Sequence, residues 1–136
     1  MYSHTTTLRV RYSETDQMSF VYYGKYATYF EVGRVEAMRA LGIRYASIEN
    51  EHGILMPVMN MHVRYLRPAL YDDLLTLKTS VTRLPDQDIS FLTEIFLEGG
   101  KLAVVGKVTL CFLESGTRKR IPVPHFLIDA LKPSFG

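Results

Sequence analysis

The chain is predicted to fold as an α+β protein, an antiparallel sheet with one substantial helix. Three observations carry that prediction. Most of the chain alternates apolar and polar residues with the period of strands. One stretch after Gly24 changes to a helical period. The strands that follow are separated by short turn signals, which is hairpin order. One strand, one long helix and four further strands make a sheet that can curl around the helix.

The first strand is read at residues 6–12, with Leu8, Val10 and Tyr12 on one side and Thr7, Arg9 and Arg11 on the other. Residues 13–23 have no clear period. From Gly24, residues Tyr26, Phe30, Gly33, Ala37 and Ala40/Leu41 share one helical face, and Gly42 supplies a C-terminal stop. Gly33 is unfavourable within a helix by about 1 kcal/mol against alanine, so its use is a close approach of the helix to the sheet. A short helical turn is read at 44–51. Residues 54–66 form a long apolar strand, with Pro57 marking an edge or bulge. The turns are "RPALYDD" at 67–73, "PDQD" at 85–88 and Gly99-Gly100, a two-residue hairpin signal. Strands fall between them and continue through 101–113. Pro122 and Pro124 break the chain, and 125–131 closes as a short helix.

The 136 residues fit one domain, and 47% hydrophobic with 22% charged residues fits a soluble globule. A net charge of +2 is too small to argue for nucleic acid. The single cysteine, Cys111, lies in an apolar run, so it reads as a buried inert thiol in a reducing compartment. The start of the chain lacks a basic and apolar leader, and no apolar run approaches the roughly 18 residues of a membrane span. The expectation is a cytoplasmic protein without a membrane span.

The four histidines have no metal-ligand spacing, and no metal or cofactor is implied. No nucleophile elbow, Walker loop or dinucleotide fingerprint is present. What remains is Asp16, in "RYSETDQMSFVYYGKYATYFEVGR". A carboxylate can act as a nucleophile or as a base on water. Amides and ethers need a proton donor for the leaving group. A thioester does not, because a thiol with a reference pKa around 8.5 leaves as thiolate. The unpaired N–H groups of a helix start can hold the oxyanion. Asp16 followed by Tyr23-Gly24 therefore carries the minimum kit for thioester cleavage. The plainer reading is a turn or cap aspartate, with tyrosines that serve only as core or subunit contacts.

"RYSETDQMSFVYYGKYATYFEVGRVEAMRALGI" resembles the opening motif of the 4-hydroxybenzoyl-CoA thioesterase family of hotdog-fold proteins, and "VRYLRPALYDDLL" resembles that family's second-strand turn. The resemblance covers nearly the whole chain. It implies a hotdog fold, a curved antiparallel sheet of about five strands wrapped around one long central helix. It also implies an acyl-CoA thioesterase with Asp16 as nucleophile or general base and the Tyr23 backbone N–H as oxyanion donor. Tyr22 and Gly24 would border the substrate, which lies at a dimer interface in that family. The family commonly has Gly where Ser19 stands and Asn where Lys25 stands. In another hotdog arrangement the acid sits on the helix. That ranks Glu31 second, although an ion pair with Arg34 explains it as well. The competing function is a protein that binds acyl-thioesters, on CoA or a carrier protein, without cleaving them.

A CoA substrate asks for cations. Arg118, Lys119 and Arg120 stand together after the last long strand and suit phosphate. Arg64 and Arg67 are weaker candidates, and Asn60 and His62 face either the pocket or the sheet. One helix cannot cover five strands, and 54–66 and 101–113 read as apolar on both faces. A homodimer or a dimer of dimers is therefore expected, with cover supplied by a second subunit.

Overall fold

The structure, a computed structural model, describes residues 1–136. In chain order the elements are β1 (Tyr2–Arg9), α1 (Tyr26–Ala40), α2 (Tyr45–Asn50), β2 (Ile54–Leu55), β3 (Val58–Tyr65), β4 (Leu74–Val81), β5 (Asp88–Phe96), β6 (Leu102–Glu114), β7 (Arg120–Ile121) and α3 (His125–Leu131). The α+β element order is as predicted, with two short strands added to the five long ones, but the predicted hairpin sequence fails at 67–73, since β3 pairs with β6 while β4 pairs with β1 and β5. The long strands run β1-β4-β5-β6-β3 across an antiparallel sheet. Residues Val104–Leu110 of β6 pair with β5 and with β3, so these two lie on opposite sides of β6. That leaves β3 and β1 as the free edges.

Helix α1 lies on the sheet with Tyr26, Tyr29, Phe30, Gly33, Arg34, Ala37 and Met38 buried. Two glycines set its distance. A Cβ on Gly33 would sit 2.5 Å from Thr79 Oγ1, where the hydroxyls of Thr79 and Thr93 lie 3.2 Å apart. A Cβ on Gly106 of β6 would sit 2.2 Å from Cζ of the buried Phe30 ring. The helix glycine thus has the use its sequence position implied, and the strand glycine completes it. The Tyr2 hydroxyl ties the edge strand to the far end of the helix by donating to the Ala37 carbonyl at 2.5 Å.

The first strand corrects the sequence reading. It occupies Tyr2–Arg9 rather than 6–12, and Tyr12 is 77% exposed, its ring edge-on to Tyr71. The chain leaves the sheet at Arg11 to make a single 3₁₀ turn at Tyr12–Glu14. Strand 54–66 is split at Met56-Pro57 into β2 and β3, as a proline without a ladder donor requires. Cover for β6 comes from the chain itself, since Ala103, Val104, Val108, Leu110, Cys111 and Phe112 are all buried. The unprotected apolar strand is β3, where Val58, Met59, Met61 and Tyr65 are all exposed, as is the adjoining Leu66. At the Gly99-Gly100 hairpin only Gly100 has positive φ, 89°. The Leu97 N–H donates to the Lys101 carbonyl, which makes a three-residue loop.

The crowding at Phe30 makes a quantitative prediction. Gly106→Ala overfills a packed contact and should cost about 1–3 kcal/mol. Gly99→Ala, which meets no atom within 4 Å, should change stability by less than about 0.5 kcal/mol. Urea denaturation of the two variants checks the difference.

Candidate active site

Residues 15–21 form a tight loop closed by a bridge between Thr15 and Val21. The Asp16 N–H donates to the Phe20 carbonyl at 2.8 Å, and the Ser19 N–H donates back to the Asp16 carbonyl at 3.0 Å. Ser19 sits at φ 67°, the left-handed region that favours glycine. The same loop holds the Asp16 side chain. Oδ1 accepts from the N–H of Met18 at 2.9 Å and of Phe20 at 3.3 Å. Oδ2 takes no hydrogen bond from the protein. One oxygen is thus fixed by backbone, and the other is free.

Asp16 lines an open cleft of about 280 Å³ with Met18, Phe20, Tyr23, Tyr26, Tyr65 and Arg67 among its other walls. The cleft is mostly apolar, which strengthens any charge interaction made inside it. It lies where the loop, the start of α1 and the end of β3 meet. Larger surface hollows exist, but the largest is lined by the polar turn 82–88 with Ser90 and Lys107 and holds none of the predicted catalytic groups.

The helix start is assembled three residues earlier than α1 itself, by a 3₁₀ turn at Tyr23–Lys25. Tyr22 is extended, with φ −59° and ψ 132°, so the first helical N–H belongs to Tyr23. N–H groups in a first turn have no carbonyl within the helix to receive them, and the helix dipole places positive charge there. The Tyr65 hydroxyl reaches the Tyr23 carbonyl at 3.4 Å and draws the end of β3 toward this turn. Burial pushes the Tyr26 hydroxyl above its ordinary range, with the Ala69 backbone pulling the other way. Gly24 leaves room for the exposed Tyr22 ring, since a Cβ there would sit 2.8 Å from that ring and push it aside.

A second carboxylate stands behind the loop and was not singled out in the sequence. Glu14 is 6% exposed. Its Oε1 accepts from the Tyr29 hydroxyl at 2.9 Å and from the Arg11 N–H at 2.8 Å, and Arg11 Nε lies 3.7 Å from Oε2. Burying a carboxylate is tolerated only with such partners. Burial and then the Glu14 hydrogen bond raise the Tyr29 hydroxyl well above the usual phenol range. The Glu14 carbonyl also accepts the Tyr22 N–H at 2.8 Å.

The remaining sequence candidates divide clearly. Tyr22 and Tyr23 are exposed beside the cleft, their ring centroids 4.6 Å apart. Arg67 is the cation that lines the cleft, with Nη1 donating to the Leu102 carbonyl at 2.7 Å. Arg67 was a weaker cation candidate in the sequence, whereas Tyr65 had no signal beyond its place in the "VRYLRPALYDDLL" motif. Glu31 is exposed and makes no ion pair, while Arg34 is buried with Nε unpartnered, so the predicted Glu31–Arg34 pair is absent. Asn60, His62 and Arg64 are exposed along β3. Arg118, Lys119 and Arg120 lie beyond the C-terminal end of β6, where Arg120 pairs with Leu113. Tyr65, beside Asp16, pairs with Val104. Nine strand residues separate those two positions on β6, about 30 Å. One chain therefore does not bring the basic triplet to its own Asp16. No cluster of His, Cys, Asp and Glu is arranged to hold a metal, and no helix is long and apolar enough to cross a membrane.

Comparison with known proteins fits this geometry. The family profile described as the thioesterase-like superfamily matches residues 10–131. The acyl-CoA thioester hydrolase YbgC of Escherichia coli is 30% identical over 125 residues, 92% of each chain. The 1,4-dihydroxy-2-naphthoyl-CoA hydrolase of Synechococcus elongatus is 27% identical over 124 residues, 90% of each. Among solved structures, a DHNA-CoA thioesterase from Staphylococcus aureus superposes with a TM-score of 0.89 at 32% identity, covering 100% of this chain and 97% of that one. A 4-hydroxybenzoyl-CoA thioesterase shares the fold, with a TM-score of 0.86 at 19% identity, covering 96% of this chain and 99% of that one. The chain belongs to the thioesterase-like superfamily, whose hotdog fold it has, and by class it is a thioester hydrolase.

The Gly24 contact yields a prediction at the cleft. Gly24→Ala must displace the Tyr22 ring but leaves the helix intact. Steady-state thioester hydrolysis should show KM raised by about threefold or more, with an unchanged far-UV circular dichroism spectrum.

Proposed function

We propose that the protein hydrolyses the thioester of an acyl- or aroyl-CoA to the free acid and CoA, with Asp16 as the catalytic carboxylate. One observation carries the reading. Asp16 has one oxygen held by two backbone N–H groups and the other free, in an apolar cleft beside the first N–H of a helix. That free oxygen can attack the thioester carbon or take a proton from attacking water. The Tyr23 N–H, at the positive end of the helix, would stabilise the oxyanion that develops. Thiolate then leaves without a general acid, which matches the lack of any second carboxylate or histidine on the cleft wall. Relatives named as acyl-CoA and aroyl-CoA hydrolases support the substrate class. Three tyrosines and a phenylalanine on the cleft favour a flat or apolar acyl group.

Asp16→Asn keeps the loop's hydrogen-bond acceptor but removes base and nucleophile. It should fold normally and lose about 100-fold or more in kcat. A thiol-release assay on an acyl-CoA panel checks this, and kcat within threefold of wild type would remove Asp16 from the reaction. Binding of acyl-CoA without turnover by the unsubstituted protein would favour the binding-protein alternative.

The active unit in this reading is a homodimer. The free edge of β3 presents unpaired backbone groups flanked by exposed Val58, Met59, Met61, Tyr65 and Leu66, a surface that invites a second strand. Two-fold pairing of β3 with its copy is antiparallel. It would bring the Val58 end of one chain to the Tyr65 end of the other, and with it the neighbouring basic triplet. Arg118, Lys119 and Arg120 of the second copy would then grip the CoA phosphates near the first copy's Asp16. Mixing decides this. An Asp16→Asn chain combined with one in which all three basic residues are Gln should regain up to about half of wild-type activity per mixed dimer. If both sets of residues belonged to the same site of one chain, mixing would restore nothing.

A further inference from the structure

We infer that Glu14 is a positioning residue that fixes the Asp16 carboxylate relative to the helix-end N–H of Tyr23. This rests on the reading of Asp16 given above. The two halves of that site belong to different pieces of chain. Asp16 rides on the loop 15–21, and Tyr23 begins the helical segment. Glu14 joins both. Its side chain holds α1 through the Tyr29 hydroxyl at 2.9 Å, two turns into the helical segment, and holds its own 3₁₀ turn through the Arg11 N–H at 2.8 Å. Its carbonyl holds the Tyr22 N–H at 2.8 Å, one residue before the oxyanion donor. Asp16 follows two residues later. A residue bonded to the loop's root, to the helix body and to the helix start sets their mutual distance.

Glu14 does not line the cleft, so it cannot touch substrate and must act through the groups it holds. The arrangement is also built rather than incidental. Both Glu14 and Tyr29 are buried, at 6% and 1% exposure, and each satisfies the other. Catalysis by a carboxylate and an oxyanion donor depends on their separation within fractions of an ångström.

The test measures kcat and KM on an acyl-CoA for folded Glu14→Ala, Glu14→Gln and Tyr29→Phe, with Asp16→Asn in parallel. Glu14→Ala should lower kcat by about fivefold or more with KM within about twofold. Glu14→Gln keeps an oxygen that accepts the same two bonds and should restore kcat to within about threefold of wild type. Placed on an Asp16→Asn background, Glu14→Ala should cost less than about twofold further, because there is no longer a carboxylate to position. A merely structural Glu14 would lower Tm in both backgrounds without this selective loss of kcat. Inactive Asp16→Asn alongside a smaller loss than fivefold in Glu14→Ala overturns this inference alone. An active Asp16→Asn overturns the site reading and this inference together. If Glu14→Ala does not fold, Tyr29→Phe decides, since it removes only a hydroxyl. A kcat loss of about threefold or more upholds the inference, and a smaller loss overturns it.

Discussion

The close seating of α1 on the sheet is the constraint on which the rest of this structure depends. Phe30 occupies the space that a side chain at Gly106 would fill, and Gly33 sits against Thr79. Packing at that density leaves the helix little freedom to slide or lift. The start of the helix is therefore a fixed point, and the Tyr23 N–H is fixed with it. The cleft inherits its dimensions from this contact, because its walls are the first turns of the helix, the end of β3 and the loop before the helix.

The loop that carries Asp16 is held by polar contacts instead of by packing. It is exposed on much of its surface, and its shape comes from backbone hydrogen bonds, a left-handed Ser19 and the Asp16 side chain itself. Such a loop would be mobile on its own. The bonds of Val21 to the Ala69 carbonyl and of Tyr22 to the Glu14 carbonyl attach it to the rigid part. A precise carboxylate is thus placed by a short polar segment pinned to a dense apolar base. The mostly polar β1 edge and the exposed, apolar β3 edge differ in the same physical way, and only the latter has a use for a second subunit in the proposed dimer.

Much of this could be read from the residues. Period and turn signals located the long helix, the hairpin strands and the closing helix 125–131 because each element buries one face, which writes its geometry into the pattern. Asp16 stood out because it was the lone aspartate before a helix start in a chain with no other catalytic set. Residues 13–23 had no period to read, since that segment is organised by hydrogen bonds between Glu14, Tyr22 and Tyr29 that are distant in the pattern. Tyr12 was assigned inward by alternation, yet the chain had already left the sheet.

The sequence by itself determined the element types and the glycine in the helix and singled out Asp16 as the candidate acid, because these follow from local preference and from which residue types can do the chemistry. Tertiary structure alone decided what stands around that acid. It put Tyr65 and Arg67 beside Asp16, buried Glu14 under the loop, left Arg34 without its expected partner and carried Arg118, Lys119 and Arg120 to the far end of β6. Those outcomes depend on which strand pairs with which, and in what register. Register joins residues with no local relation in the chain, so no local pattern of residues could have encoded them.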